Sequence, residues 1–172
     1  MEQHLQQVQD LACGQYLVAV VAAMLNGKAV PPLPPQLTWR QMYQTARLHS
    51  LEVMLLAGVE DQVDEPELLA EWRKRRDVDM VQTLTQISEQ QRILAAFSQA
   101  GVPVLRVKGS ALRELYPRPE YRQMSDIDLI AAPQDMERAE AVLKSLGYAT
   151  EQEDRRQDNE VSYFLPPFMG VE

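Results

Sequence analysis

Val102-Pro103-Val104-Leu105-Arg106-Val107-Lys108-Gly109-Ser110-Ala111-Leu112 and, fifteen residues beyond Ser110, Ser125-Asp126-Ile127-Asp128-Leu129-Ile130 together decide how this chain is read. The run from Val102 is short and valine-rich, as a buried strand is, and Pro103 stands near its start, where a missing amide donor does little harm. Lys108-Gly109-Ser110 then reads as a turn opening a short helix from Ala111 to Leu115, and Tyr116 to Met124, with Pro117 and Pro119, as a loop. Ser125 to Ile130 reads as a second strand. Side chains alternate between the faces of a strand, so Asp126 and Asp128 leave on one side while Ile127 and Leu129 point into the core. Neighbouring carboxylates repel each other, and a hard divalent cation relieves that repulsion. Magnesium (or manganese) suits the pair because it combines a few carboxylates with phosphate oxygens and water.

The preceding turn fits the same chemistry. Backbone amides where a helix begins can face an anion, and Gly109 lets a phosphate approach without a side chain in the way. Ser110 can cap the helix, hydrogen-bond a phosphate, or both. Lys108 and Arg122 can neutralise phosphate oxygens, arginine with the added advantage of a planar two-pronged fork. An ordinary surface salt bridge is the competing role for each of them.

Outward from this stretch the chain divides in character. Upstream, Leu5, Val8, Ala12, Tyr16, Ala19 and Ala23 recur at three- and four-residue steps, which predicts a helix stopped by Asn26-Gly27. Thr38 is a suitable N-cap for a helix through Trp39, Met42, Tyr43, Ala46 and His49, and a further helix covers Leu51 to Val59. A long helix starts near Asp64 and Pro66, with Leu69, Trp72, Leu84, Ile87, Leu94 and Ala95 on its apolar side and Arg73 to Arg76 on a solvated face. Trp39 reads as core, His49 as a packed or capping residue with substrate contact as the alternative, and Tyr116 and Tyr121 as packed or base-stacking rings.

Downstream, Met136, Ala139, Val142, Leu143 and Leu146 mark a helix opened at Pro133 or Asp135 and closed by Gly147. Val161, Tyr163 and Leu165 alternate as a third strand, and Val171-Glu172 begins a fourth, so the core is expected to be cut short at its C-terminal end. The expected organisation is a helical region over 1–99 followed by a strand-bearing module over 100–172, an α+β chain.

Composition narrows the functions. The net charge of −8 supplies no broad basic surface of the kind that general nucleic-acid binding requires. A lone cysteine, Cys13, cannot form an internal disulfide, and it reads as a small core residue. The most apolar run, Leu17 to Leu25, is far shorter than the roughly 20 residues that span a bilayer, and no lysine or arginine precedes it. A cytoplasmic protein without a membrane partner is the expectation.

A strand, a Gly-Ser turn with a short helix, then a strand bearing Asp-hydrophobic-Asp resembles the signature of the DNA polymerase beta-like nucleotidyltransferases. More closely, Lys108-Gly109-Ser110-Ala111-Leu112, Leu115-Tyr116-Pro117, Pro119, Arg122, Ser125-Asp126-Ile127-Asp128-Leu129, Gln134-Asp135-Met136 and Leu146-Gly147-Tyr148 are similar to the uncharacterised bacterial nucleotidyltransferase family labelled NTP-transferase 5. The likeness covers roughly residues 38 to 172 and is strongest from 104 to 148.

That resemblance implies a small mixed sheet with flanking helices behind a helical N-terminal region. It also implies metal-dependent transfer of a nucleoside monophosphate from a nucleoside triphosphate to an acceptor. Asp126 and Asp128 would hold Mg2+ (or Mn2+), and Lys108, Gly109, Ser110 and Arg122 the triphosphate. Glu172 would supply the third, catalytic carboxylate, with Glu160 a poorer candidate. The acceptor is unknown, a small molecule or protein being favoured over nucleic acid. The alternative is a nucleotide-binding or protein-interaction module that keeps the fold without turnover.

Overall fold

In the computed structural model, residues 2–150 and 161–165 are described, with side chains of the first helix from residue 10 on. Helix α1 (Glu2–Leu25) ends as Asn26-Gly27 predicts. Gly27 adopts a left-handed φ of +62°, the Lys28 amide donates to the Ala23 carbonyl at 2.8 Å, and the Gly27 amide to the Met24 carbonyl at 3.3 Å. This bond pair satisfies carbonyls that the last helical turn leaves open. Helix α2 (Trp39–Leu48) starts with a reciprocal cap. The Gln41 amide donates to Thr38 Oγ1 at 3.3 Å, and the Thr38 amide to Gln41 Oε1 at 2.9 Å. Helix α3 (Glu52–Val59) and the long α4 (Pro66–Gln99) follow. Beyond Gly101 come strand β1 (Val104–Arg106), helix α5 (Lys108–Leu112), strand β2 (Leu129–Ala131) and helix α6 (Met136–Ser145).

These elements form two compact units. One joins the chain up to Thr85 with Lys108–Asp126; the other joins Gln86–Val107 with the chain from Ile127 onward. In the first, Tyr16, Leu17 and Val20 of α1 pack with Trp39, Met42 and Tyr43 of α2, Leu55 and Leu56 of α3, and Leu68 and Trp72 of α4. The Tyr43 and Trp72 rings lie 5.1 Å apart, and Trp72 Nε1 donates to the Glu52 carbonyl at 2.8 Å. The buried stripe of α1 runs through Cys13, Tyr16, Leu17, Val20 and Ala23. Expected on it, Ala19 is instead exposed, because the bulkier Leu17 and Val20 define the face. The Arg73 to Arg76 run is tied into ion pairs: Arg73 and Arg76 with Glu60, and Arg75 with Asp79 and Glu52.

The second unit is built on an antiparallel pair in which Val104, Leu105 and Arg106 face Ala131, Ile130 and Leu129. Its inner side carries Val104, Ile127, Leu129 and Ala131 against Ile93 and Phe97 of α4 and Ala139 and Val142 of α6. Ile127 and Leu129 thus pack as their alternation predicts. Met136, expected on the apolar face of α6, is 41% exposed. The third strand shrinks to one bridge, Ala149 with Phe164. Val171 and Glu172 lie outside the described residues, so the fourth strand does too. Among the described residues the sheet has two strands, and the chain is α+β.

Candidate active site

Lys108 sets the local geometry. Its φ is +51°, a left-handed backbone that costs a residue with a β-carbon about 1–2 kcal/mol. The rung before it joins the Val107 amide to the Asp128 carbonyl at 3.2 Å, and past that rung the chain leaves the sheet for α5. This accounts for a difference from expectation. Strand β2 begins at Leu129, not Ser125, because β1 has turned away and nothing continues the ladder beyond Asp128. The turn residues likewise already belong to α5, which continues as a single 3-10 turn over Arg113–Leu115.

Between Lys108 and Asp126 the chain folds back on itself. A β-carbon on Gly109 would stand 2.8 Å from Met124 Sδ and 3.2 Å from its Cγ, so that side of the glycine is filled by Met124. A residue two positions before Asp126 is thereby held against the glycine turn. The expected site residues differ in exposure. Lys108 and Asp126 are exposed, Gly109 and Asp128 half-buried, and Ser110 is 2% exposed. Asp126 closes the first unit and Asp128 belongs to the second. Glu160 and Glu172 lie outside the described residues.

Arg122 caps a 3-10 turn over Pro119–Tyr121 that is fixed through its last residue. The Tyr121 ring is buried on Val53 and Met54 of α3, with the Arg118 guanidinium 6.0 Å from the ring centre; burial pushes its phenol up. Tyr121 therefore packs, and Tyr116 packs beside it. The half-buried Arg122 side chain makes no ion pair among the described residues, and its Nε is buried without a hydrogen-bond acceptor.

Two further residues here were not singled out from sequence. Arg113, 5% exposed, donates from Nε to the Arg122 carbonyl at 3.3 Å. Burial and then the Arg122 charge lower its affinity for its proton. Gln123 also has a buried Nε2 with no acceptor among the described residues. No periodicity marks such positions; their burial alone distinguishes them. His49 is exposed at the C-cap of α2, and Trp39 is core.

Among the described residues, no group of three His, Cys, Asp or Glu side chains could hold a metal, and no helix is long and apolar enough to cross a membrane. The donor set at Asp126 and Asp128 is two carboxylates, one exposed and one half-buried. That fits magnesium, which takes one or two protein carboxylates and completes its shell with phosphate oxygens and water.

A glycine turn following a strand, with paired aspartates leading into the next strand of an α+β chain, is the order that the resemblance to nucleotidyltransferases implies. Comparison with protein-family models agrees: one described as "Uncharacterised nucleotidyltransferase" matches residues 35–166, and the chain belongs to that family. The match encloses Lys108 to Ser110, Arg122, Asp126 and Asp128. Searches of curated proteins and of solved structures found no match.

Proposed function

We propose that the chain transfers a nucleoside monophosphate from a nucleoside triphosphate to an acceptor hydroxyl or phosphate, releasing pyrophosphate. The family match over residues 35–166, enclosing a glycine turn and an Asp-Ile-Asp pair in the required order, carries this reading. Asp126 and Asp128 are the residues that would hold Mg2+ or Mn2+. Bound there, divalent metal supplies charge neutralisation for the triphosphate and activation of the attacking oxygen in an in-line displacement.

The chain's own residues prepare for that reaction in distinct ways. Asp128 is anchored by its backbone bond to Val107, which limits how far its carboxylate can wander. Gly109, pressed against Met124, holds the turn in register with the residues leading to Asp126. Lys108 and Arg122 would offer positive charge to phosphate oxygens, and Gly109 and Ser110 would contribute from the turn that Lys108 opens. Glu172 remains the candidate for the third carboxylate, to orient or deprotonate the acceptor. With a net charge of −8, a small-molecule or protein acceptor suits the chain better than a long nucleic acid. We place this activity in the bacterial cytoplasm.

Incubation with each labelled triphosphate, magnesium or manganese, and cell extract tests the reading. Pyrophosphate release that disappears in Asp126→Asn/Asp128→Asn supports it. Metal-linked nucleotide binding without pyrophosphate release favours the alternative, a binding module without turnover. If neither nucleotide binding nor release responds to the double substitution, both readings fail.

A further inference from the structure

We propose that Leu105 and Ile130 form an apolar seat for the acceptor, which therefore carries an aliphatic or aromatic group close to its reactive oxygen. This deepens the nucleotidyltransferase reading and rests on it for the role given to Asp128.

Leu105 of β1 and Ile130 of β2 are partners in the register of the antiparallel pair. Side chains opposite each other on one face of such a pair stand roughly 5 Å apart. Leu105 is 62% exposed and Ile130 55%. Singly exposed aliphatic residues are ordinary, but two directly opposed make a patch. An antiparallel pair with one solvated face alternates apolar and polar residues, whereas strands apolar on both sides are covered on both sides. On the inner side Val104, Leu129 and Ala131 are covered by Ile93 and Phe97 of α4 and Val142 of α6. By the same rule Leu105 and Ile130 should be polar, and they are not.

What covers them follows from their neighbour. Ile127 and Leu129 both pack inward, so Asp128 between them leaves on the outer side with Ile130. Two residues of strand span roughly 7 Å, about the reach from a reacting oxygen to a nearby ring or alkyl chain. Leu105, Asp128 and Ile130 belong to one compact unit. A substrate that reaches Asp128 therefore lies over the face that the two aliphatic side chains share. Chain direction selects the acceptor. The Val107 amide pairs with the Asp128 carbonyl; β1 leads from Leu105 up to that rung, and the glycine turn follows it. Phosphates at the turn and an acceptor over Leu105 thus come to Asp128 from opposite ends of β1. In-line displacement requires such opposition. The acceptor oxygen bonds the α-phosphorus as the bond to pyrophosphate breaks on the other side, and its proton leaves to a carboxylate or water.

The test uses the full chain with methyl-labelled leucine and isoleucine. It is titrated with the linear alcohols from 1-propanol to 1-hexanol, with and without magnesium-ATP, and followed by NMR. The Leu105 and Ile130 methyls should shift, and affinity should rise about twofold to fourfold per methylene, about fourfold being the value of a fully buried one. Magnesium-ATP should leave this binding in place. Leu105→Ser and Ile130→Thr, both at exposed positions, should melt close to wild type and bind magnesium-ATP as it does, yet lose most of the dependence on chain length. A residue with a merely structural role would not tie affinity to the length of an alcohol. Unmoved methyls, or the same dependence in all three proteins, overturns the proposal. So does exclusion of the alcohols by magnesium-ATP, which seats the nucleotide on the patch. A dimer that Leu105→Ser and Ile130→Thr dissolve seats a second copy there and overturns it too. Binding that grows with chain length, in a protein that releases no pyrophosphate from any triphosphate, keeps the apolar seat and removes the transferase. Pyrophosphate release with Leu105 and Ile130 unmoved by the alcohols does the reverse.

Discussion

Replacing Glu52 with glutamine should stabilise the chain at neutral pH. Glu52 opens α3 and is 4% exposed. Its Oε2 is buried without a hydrogen-bond partner among the described residues, and its Oε1 lies 3.7 Å from Arg75 Nε. Arg75 makes its closer contact, 2.8 Å, with Asp79. Burial pushes the Glu52 carboxyl up; the bond to its own backbone amide opposes this, Asp79 adds to it, and Arg75 and Arg47 pull the other way. A carboxyl raised in the folded state contributes stability below its unfolded pKa, and that contribution is lost as pH rises through the folded value. At neutral pH the folded chain therefore holds an ionised group where its surroundings disfavour one. An orphaned buried acceptor costs about 1–3 kcal/mol and more when it is charged, and glutamine removes the charge. Against it stand about 0–1 kcal/mol for the half-exposed Arg75 pair and about 0.3–1 kcal/mol for a negative charge in a first helical turn. The balance is a gain of about 1 kcal/mol, or a melting temperature raised by roughly 2–4 °C in a chain of this length. Urea and thermal unfolding at about pH 7 and about pH 3.5, either side of the ordinary carboxyl range, give the answer. A glutamine variant less stable than wild type at neutral pH, or a gain undiminished in acid, refutes this account of Glu52.

Three other outcomes are expected. Ser50 closes α2 at φ +53°, with its amide on the Arg47 carbonyl at 3.2 Å, so Ser50→Gly should add about 0.5–1 kcal/mol; a lower melting temperature would count against strain there. The Tyr148 hydroxyl donates to Glu89 Oε1 at 2.7 Å, and burial, then Glu89, push its phenol up to about 12. Stability from the protonated phenol is complete below about pH 10, its unfolded value, and lost between about pH 10 and 12. Tyr148→Phe should lack that alkaline loss in unfolding profiles, and an identical profile for both proteins would contradict the assignment. Gly109→Ala drives a β-carbon toward Met124 Sδ and should cost about 1–3 kcal/mol. Combined with Met124→Ala, most of that cost should vanish in a double-mutant cycle, and strictly additive losses would show that the two residues do not meet.

The punctuation of the fold is legible in the sequence because it depends on single residues with special backbones. Thr38 starts α2, and Gly27 and Gly147 end α1 and α6, as read. What hydropathy misreads is the middle of α4. Leu84, expected on the apolar face, is 59% exposed, while Asp79 and Thr83 are 3% and 4% exposed. Pairing with Arg75 makes Asp79 fit to be buried, and a periodicity scan assigns no value to a partner four residues away. The alternation of Val161, Tyr163 and Leu165 misleads differently. A strand needs an opposite strand, and Ala149 offers one bridging position two residues after the left-handed bend at Gly147.

The site divides along the same line. Lys108-Gly109-Ser110 and Asp126-Ile127-Asp128 stand out as candidates because each is contiguous, and because metal and phosphate chemistry uses those residue types. Arg113 and Gln123 do not, since nine residues separate them and nothing periodic connects them. Arg122 is the instructive case. From sequence, an arginine in a loop is equally a phosphate ligand and a surface ion pair, and the two roles differ only in what else is near. Its surroundings in the fold supply another guanidinium, an amide without an acceptor and, among the described residues, no carboxylate in pairing distance.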